Sequence, residues 1–265
     1  MLIGTATLLI VLSAFTGLKD FGLSFSNVFD PDFRVEAVQG KVFEIDSVTL
    51  ASVKQLDGIL AVSGIIEDKV FLNYRDKNHV VYLKGVDSTY QKVIESNRFL
   101  SSGAWFSMEL DEVVIGGGVA QVLSLGVYDY NDFLVLTVPK RSGSATQFKE
   151  PFINKTALVS GIYSVSEDLD KKYMFSNLSF ARDLFQRKGS VYSSLELKVD
   201  PNLNRKQLEE QLQALLKTPV RMRSRTELNA ALFKMLNTEQ MAIYWIFTLV
   251  IIIALFNVVG ALIMM

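Results

Sequence analysis

The last 25 residues, Met241 to Met265, carry no charge. Their centre, Trp245 to Phe256, has Thr248 as its one polar interruption, and Asn257 follows it. As a helix rising 1.5 Å per residue, the run is about 37 Å long. That is enough to cross a hydrocarbon core of about 30 Å. Thr248 and Asn257 are tolerated there when neighbouring helices offer hydrogen bonds. A buried helix of a soluble core would carry a charged face, and this run has none. Met241–Met265 is therefore expected to span a membrane.

The helix is expected to begin earlier. Ser224-Arg225-Thr226-Glu227 fits a capping box, with Ser224 as N-cap and Glu227 reaching back to it. Leu228, Ala231, Leu232, Met235 and Leu236 then recur at helical spacing. A continuous helix from Arg225 would be about 60 Å long, with residues 224–240 forming a stalk above the span. Asn237-Thr238 is the other place where it would break.

All 27 Lys and Arg and all 28 Asp and Glu lie between Lys19 and Glu239. Two apolar ends thus flank a middle of ordinary globular composition, long enough for one or two lobes. The net charge of −1 offers no field for nucleic acid. No cysteine is present, which excludes disulfides and thiolate metal sites. Met1–Leu18 is also uncharged. It lacks the basic start of a secretory signal and exceeds a usual signal core, so it is expected to be a first membrane helix, truncated. The chain is expected to be a piece of a larger membrane protein, with its central region on the outer face.

Phe15, Leu18, Phe21, Phe25 and Phe29 form an aromatic stripe at helical spacing that ends at Asp30-Pro31. It suits either packing against the second stalk or contact with a lipid or acyl chain. The middle, 31–223, reads as an α+β domain. Strands are expected at Phe33–Ile45, Ile59–Tyr74, His79–Val86, Glu112–Ile115, Phe133–Val138, Leu158–Val165, Val191–Val199 and Val220–Arg223. Helices are expected from Asp46 or Ser47 to Leu56, from Asp87-Ser88 to Asn97, over Gly116–Gly126, near Phe180–Arg187 and from Asn204 to Lys217.

Little catalytic chemistry is legible. Gly116-Gly117-Gly118 lies between a strand and a helix but has neither the P-loop nor the G-x-G-x-x-G spacing, so it reads as a tight turn. His79 is the only histidine and reads as a solvated turn residue, which leaves no zinc site of the usual kind. The acidic pairs Glu67-Asp68, Asp111-Glu112 and Glu167-Asp168 have no nucleophile and orienter beside them, so no enzyme and no bound cofactor are expected. The loop Arg141 to Lys155 stands out by its length, and shows Phe148, Pro151, Phe152 and Ile153 in a polar setting. It suits either a partner contact or a fold back onto the domain.

With two apolar ends around about 220 residues, the chain resembles the permease subunits of type VII ABC systems: the efflux permease MacB, the cell-division protein FtsX and the lipoprotein-releasing permeases LolC and LolE. It is most similar to the LolC/LolE group. The residues that carry the likeness are Val114-Ile115-Gly116, Ala120, Leu125-Gly126-Val127 and Phe133 to Pro139, then Leu232 to Met265 with Phe233, Glu239, Ala254, Phe256 and Asn257. Gly117 stands where that group usually has Glu, and Asn131-Asp132 where it has Gly-Asp.

The resemblance implies a MacB-like periplasmic core domain in the bacterial inner membrane. It implies a second permease subunit and a separate LolD-like ATPase that binds ATP and Mg. It also implies a lipoprotein substrate and a LolA-like periplasmic carrier. ATP-driven motion would pass up the stalks by mechanotransmission. Acyl chains would leave between the first two spans, which makes Phe15, Phe21, Phe25, Met241 and Tyr244 the candidate acyl-facing residues. Residues 141–155 would be the hook that docks the carrier, through Phe148, Pro151, Phe152 and Ile153. An FtsX-like or efflux permease is the alternative within the family, and a two-span extracytoplasmic sensor the alternative outside it.

Overall fold

The computed structural model describes residues 29–140 and 151–264, with helical positions at 10, 13, 14, 16 and 17. The expected first span therefore falls mostly outside the described residues, as do Phe15, Phe21, Phe25 and Phe148. The chain divides into two compact units, Ser24–Arg225 and a second made of Met1–Leu23 with Thr226–Met265.

Ser24–Arg225 begins with β1 (Phe33–Ala37), β2 (Phe43–Glu44) and α1 (Ser47–Lys54). Asp46 caps α1, accepting from the Thr49 amide at 2.6 Å, as the sequence leads one to expect. Next come β3 (Ile59–Tyr74), β4 (Lys77–Val86), α2 (Tyr90–Val93), β5 (Leu100–Gly103), β6 (Glu112–Gly116) and α3 (Gly117–Leu123). β7 (Leu134–Pro139), β8 (Phe152–Tyr163), α4 (Glu167–Lys172), β9 (Tyr173–Asn177) and α5 (Leu178–Leu184) follow. β10 (Val191–Tyr192), β11 (Ser194–Val199), α6 (Arg205–Leu215) and β12 (Val220–Ser224) complete it.

β3 organises these elements. Its 16 residues run for about 50 Å. Its first half pairs with β11, from Val199↔Ile59 to Ser194↔Ile65. Its second half pairs with β4 on one side and, over Phe71–Asn73, with β7 on the other. From there the pairings close on themselves: β4 with β9, β9 with β6, β6 with β8, β8 with β7, and β7 with β3. A six-stranded barrel results, which leaves no free edge along that circuit. Inward positions such as Val70, Leu72, Leu83, Ile115, Leu136 and Met174 form one buried cluster with Phe180 and Leu184 of α5.

The first half of β3 belongs instead to an open sheet, β12-β1-β11-β3. Strand side chains alternate, so this sheet has two unlike faces. Val35, Leu195, Leu197 and Met222 pack on one side with Val53 of α1 and Leu208 and Leu212 of α6. Arg34, Glu36, Glu196, Arg221 and Arg223 take the alternate positions, and the register sets Arg34 between Glu196 and Arg223.

Several expectations need correction. Phe33–Ile45 is not one strand; β1 ends at Ala37 and β2 is a separate two-residue pairing with β10. β5, β9 and α4 were not foreseen, because each is short and lacks a clear period of its own. Ser224 ends β12, opposite Phe33, and helix begins at the next residue, Arg225, which is where an N-cap at Ser224 puts it. A short helix α7 (Arg225–Leu228) follows, and Asn229 separates it from α8 (Ala230–Met264). The stalk is thus interrupted at Asn229 and not at Asn237-Thr238, and α8 runs without a break for 35 residues. Met241–Met264 of α8 has a mean hydropathy of 2.8 and is long and apolar enough to cross a membrane. Among the described residues this is the one such helix; the expected first span, Met1–Leu18, lies mostly outside them.

Candidate functional surface: the β7–β8 neck and the groove beside it

β7 and β8 leave the barrel as an antiparallel pair whose last register is Pro139↔Phe152. Beyond it the Lys140 amide donates to the Pro151 carbonyl at 2.9 Å, closing a neck around residues 141–150. The loop expected over 141–155 is thereby shortened, since Phe152 to Lys155 belong to the β8 ladder. Strand alternation then separates two expected contact residues. Phe152 points outward and is 52% exposed, whereas Ile153 is partly buried and packs against the barrel core. Pro151 is exposed at the neck.

Outward positions of four neighbouring strands meet beside Phe152. The register aligns Val80, Phe71, Thr137 and Asn154 in one row across β4, β3, β7 and β8. Thr137 Oγ1 donates to Asn154 Oδ1 at 2.8 Å and holds the row together. A groove of about 620 Å³ lies along this face, lined by Lys69, Phe71, Val80, Val135, Pro139 and Phe152 among others. Phe71 is 40% and Val80 53% exposed. Contiguous apolar surface of this kind on a strand face marks a binding surface more often than a solvated one. Sequence reading did not single out Lys69, Phe71, Val80 or Val135. The signal was the unbroken run Val70-Phe71-Leu72, since a half-buried strand would alternate and a strand with two apolar faces does not.

One end of the barrel is pinned by charge. Tyr74 OH donates to Asp129, and Arg75 meets Asp132 at 2.8 Å and Asp129 at 3.3 Å. Asp132, one of the two residues at the Asn131-Asp132 departure, thus ties its loop to the β3–β4 turn. Gly116 and Gly118 serve packing: a Cβ at Gly116 would overlap the Asp170 carbonyl and one at Gly118 the Lys171 side chain, so these two glycines let α3 lie against α4. His79 lies in β4 and not in the turn, with Nε2 2.8 Å from the Lys171 carbonyl. Among the described residues no cluster of His, Asp and Glu is placed to hold a metal ion.

The family description "MacB-like periplasmic core domain" matches residues 1–215. The chain belongs to that family. Two solved structures share the fold. The extracellular domain of the noncanonic ABC-type transporter YknZ from Gram-positive bacteria has a TM-score of 0.52 at 13% identity, over 72% of this chain and 99% of that one. The periplasmic region of MacB from Actinobacillus actinomycetemcomitans has a TM-score of 0.52 at 14% identity, over 78% and 94%. No curated protein matches the chain in sequence. Membership makes residues 1–215 a match to the MacB-like periplasmic core domain of the type VII ABC transporter permeases, a family that works in a membrane with an ATPase partner. In this MacB-like domain the neck and groove lie within the one compact unit. Met241 and Tyr244, the described members of the candidate acyl-facing set, are 63% and 66% exposed on α8.

Proposed function

We propose that the chain is part of a LolC/LolE-type permease subunit in the bacterial inner membrane. With a LolD-like ATPase and a second permease subunit it releases lipoproteins to a LolA-like periplasmic carrier. ATP and Mg are bound by the ATPase, and this chain performs no catalysis of its own. One observation carries the reading. The β7–β8 connection leaves the barrel through a hydrogen-bonded neck with Pro151 and Phe152 exposed at its base. An aromatic side chain held outward on a rigid ladder is a good anchor for a protein partner, because little entropy is lost when it docks.

The alternative within the family is an FtsX-like or MacB-like permease acting on a cell-wall hydrolase or an efflux partner. In-cell photo-crosslinking from position 152 of the full-length protein separates the two. Capture of a small soluble periplasmic carrier is expected, and with the crosslinker moved to the neighbouring exposed position 151, Phe152→Asp should lower the yield of that product at least tenfold. Capture of a hydrolase or an outer-membrane channel would keep the family and overturn the release function. No capture from an inserted, expressed protein would remove the neck as a docking site.

A further inference from the structure

Two polar side chains stand inside the apolar run of α8, and they are satisfied differently. Thr248 Oγ1 donates to the Tyr244 carbonyl at 2.9 Å, so the helix itself completes that hydroxyl. Asn257 is exposed on the helix and has no hydrogen-bond partner among the described residues. It lies about 24 Å along the axis from Met241 and about 10 Å from Met264. Hydrocarbon therefore surrounds it when Met241–Met264 crosses a membrane. A side-chain amide carries two N–H donors and an acceptor oxygen, and lipid tails offer them nothing. A polar group at that depth is costly unless another helix answers it. The surroundings on α8 admit such a helix. Ala254 and Ala261, one turn to either side, and Gly260 are small. An added Cβ at Gly260 would meet nothing within 4 Å, so this flank is uncovered. Two backbones can approach there closely enough for a short side chain to reach across.

Depth and chemistry select the occupant. Whatever meets Asn257 must present a donor and an acceptor at the same height in the bilayer. Hydrocarbon keeps water and lipid headgroups away, and the backbone groups of a neighbouring helix are used within that helix. Among the described residues α8 is the one membrane-length helix, so a copy of it is the partner that the chain itself supplies. A two-fold axis along the membrane normal sets the second copy's amide at the same height. The amide is its own complement, since each side chain donates to the other's oxygen. A single Asn in an otherwise apolar seam also fixes register, because any slip leaves both amides unpaired. We infer that α8 pairs with α8 of a second copy of this chain, through a face built on Asn257 with Ile253, Ala254 and Ala261 beside it. The pairing rests on α8 crossing a membrane and not on what the permease releases. It makes the second permease subunit of the complex proposed above another copy of this chain.

The 265 residues hold no cysteine, so the test places single cysteines in the full-length protein, cleared of any others, and coexpresses two differently tagged copies. Copper phenanthroline forms disulfides in native membranes, and the joined species are identified by both tags and by mass spectrometry. Ile253 and Ala261 share the Asn257 face of the helix, whereas Leu255 and Val259 lie on the opposite one. Ile253→Cys and Ala261→Cys should join the two tags about tenfold more than Leu255→Cys and Val259→Cys. Adding Asn257→Leu should lower that yield about tenfold, while Asn257→Gln, which keeps an amide, should retain most of it. Asn257→Leu makes the span more apolar, so its effect does not come from failed insertion. Equal joining at all four positions, joining confined to Leu255→Cys and Val259→Cys, or joining that Asn257→Leu leaves unchanged would overturn the pairing. Capture of a different protein in place of the second tag would do the same. No joining with carrier capture intact would sink the pairing alone; no carrier capture with joining intact would sink the release function alone.

Discussion

Lys84 of β4 and Glu196 of β11 are 112 positions apart in the chain and meet in the interior, with Lys84 Nζ 2.9 Å from Glu196 Oε2 and 3.0 Å from the Tyr90 hydroxyl. Both side chains are buried, and the pair joins the barrel to the open sheet. Burial by itself would raise the Glu196 carboxyl, but Lys84 and Arg34 outweigh it and hold the group below its ordinary range. Tyr90 is pushed well up, chiefly by burial and then by Glu196. A carboxyl whose folded value is depressed stabilises the fold above its unfolded value, about 4.3, and loses that contribution as the pH falls through the folded value. Lys84→Met removes one cation from Glu196 and is expected to cost about 3–5 kcal/mol at neutral pH. It also raises the folded value for Glu196, so the deficit should narrow as the pH falls below about 5. Thermal unfolding of both proteins in micelles between pH 3 and pH 7 checks this; a deficit independent of pH would mean Glu196 does not sense Lys84.

At the scale of elements, Gly116 and Gly118 explain how α3 and α4 come together. Gly116 has ordinary extended backbone angles, so a side chain there is not excluded by conformation. It is excluded by space, because a Cβ would overlap the Asp170 backbone. Asp170 has little room to yield, since its carboxylate accepts from Ser164 Oγ at 3.0 Å and from the Val165 amide at 2.8 Å. Gly116→Ala is therefore expected to destabilise the domain by about 1–3 kcal/mol. Gly126→Ala, where nothing lies within 4 Å of an added Cβ, should stay within about 0.5 kcal/mol. Urea unfolding of the two variants decides it: equal midpoints would show that α3 and α4 adjust without cost. β12 shows a comparable economy at its outer edge, where Gln213 of α6 accepts the Val220 amide at 3.1 Å and Arg205 donates to the Met222 carbonyl at 3.1 Å. Side chains of α6 thus occupy backbone groups that would otherwise recruit another strand.

At the scale of the whole molecule, a barrel with an attached open sheet forms one compact unit, and α8 carries an apolar run of 24 residues in the other. Ile252 lies near the middle of that run. Ile252→Arg should weaken membrane insertion by about 2.5–3.5 kcal/mol. Carbonate extraction of membranes from expressing cells measures it, and retention equal to the parent protein would argue against α8 as a span.

Local pattern determined a good deal. The charge-free run at the C-terminus, the full extent of β3 and the caps at Asp46 and Asn204 all follow from residue type and spacing, because each is decided within one or two turns of chain. The neck was legible in part: the sequence left open whether its apolar residues are exposed or fold back, and the structure divides them, Pro151 and Phe152 being exposed while Ile153 faces the core because neighbouring strand residues point to opposite faces. The closure of six strands into a barrel was decided only by tertiary structure. So were the division of β3 between two sheets, the meeting of Lys84 with Glu196 and the groove beside Phe152. The physical reason is common to all four. Periodicity states which face of a strand is apolar, but the partner and register come from pairings between segments distant in sequence. β1 with β12 and β4 with β9 are such pairings, and no local residue choice specifies them.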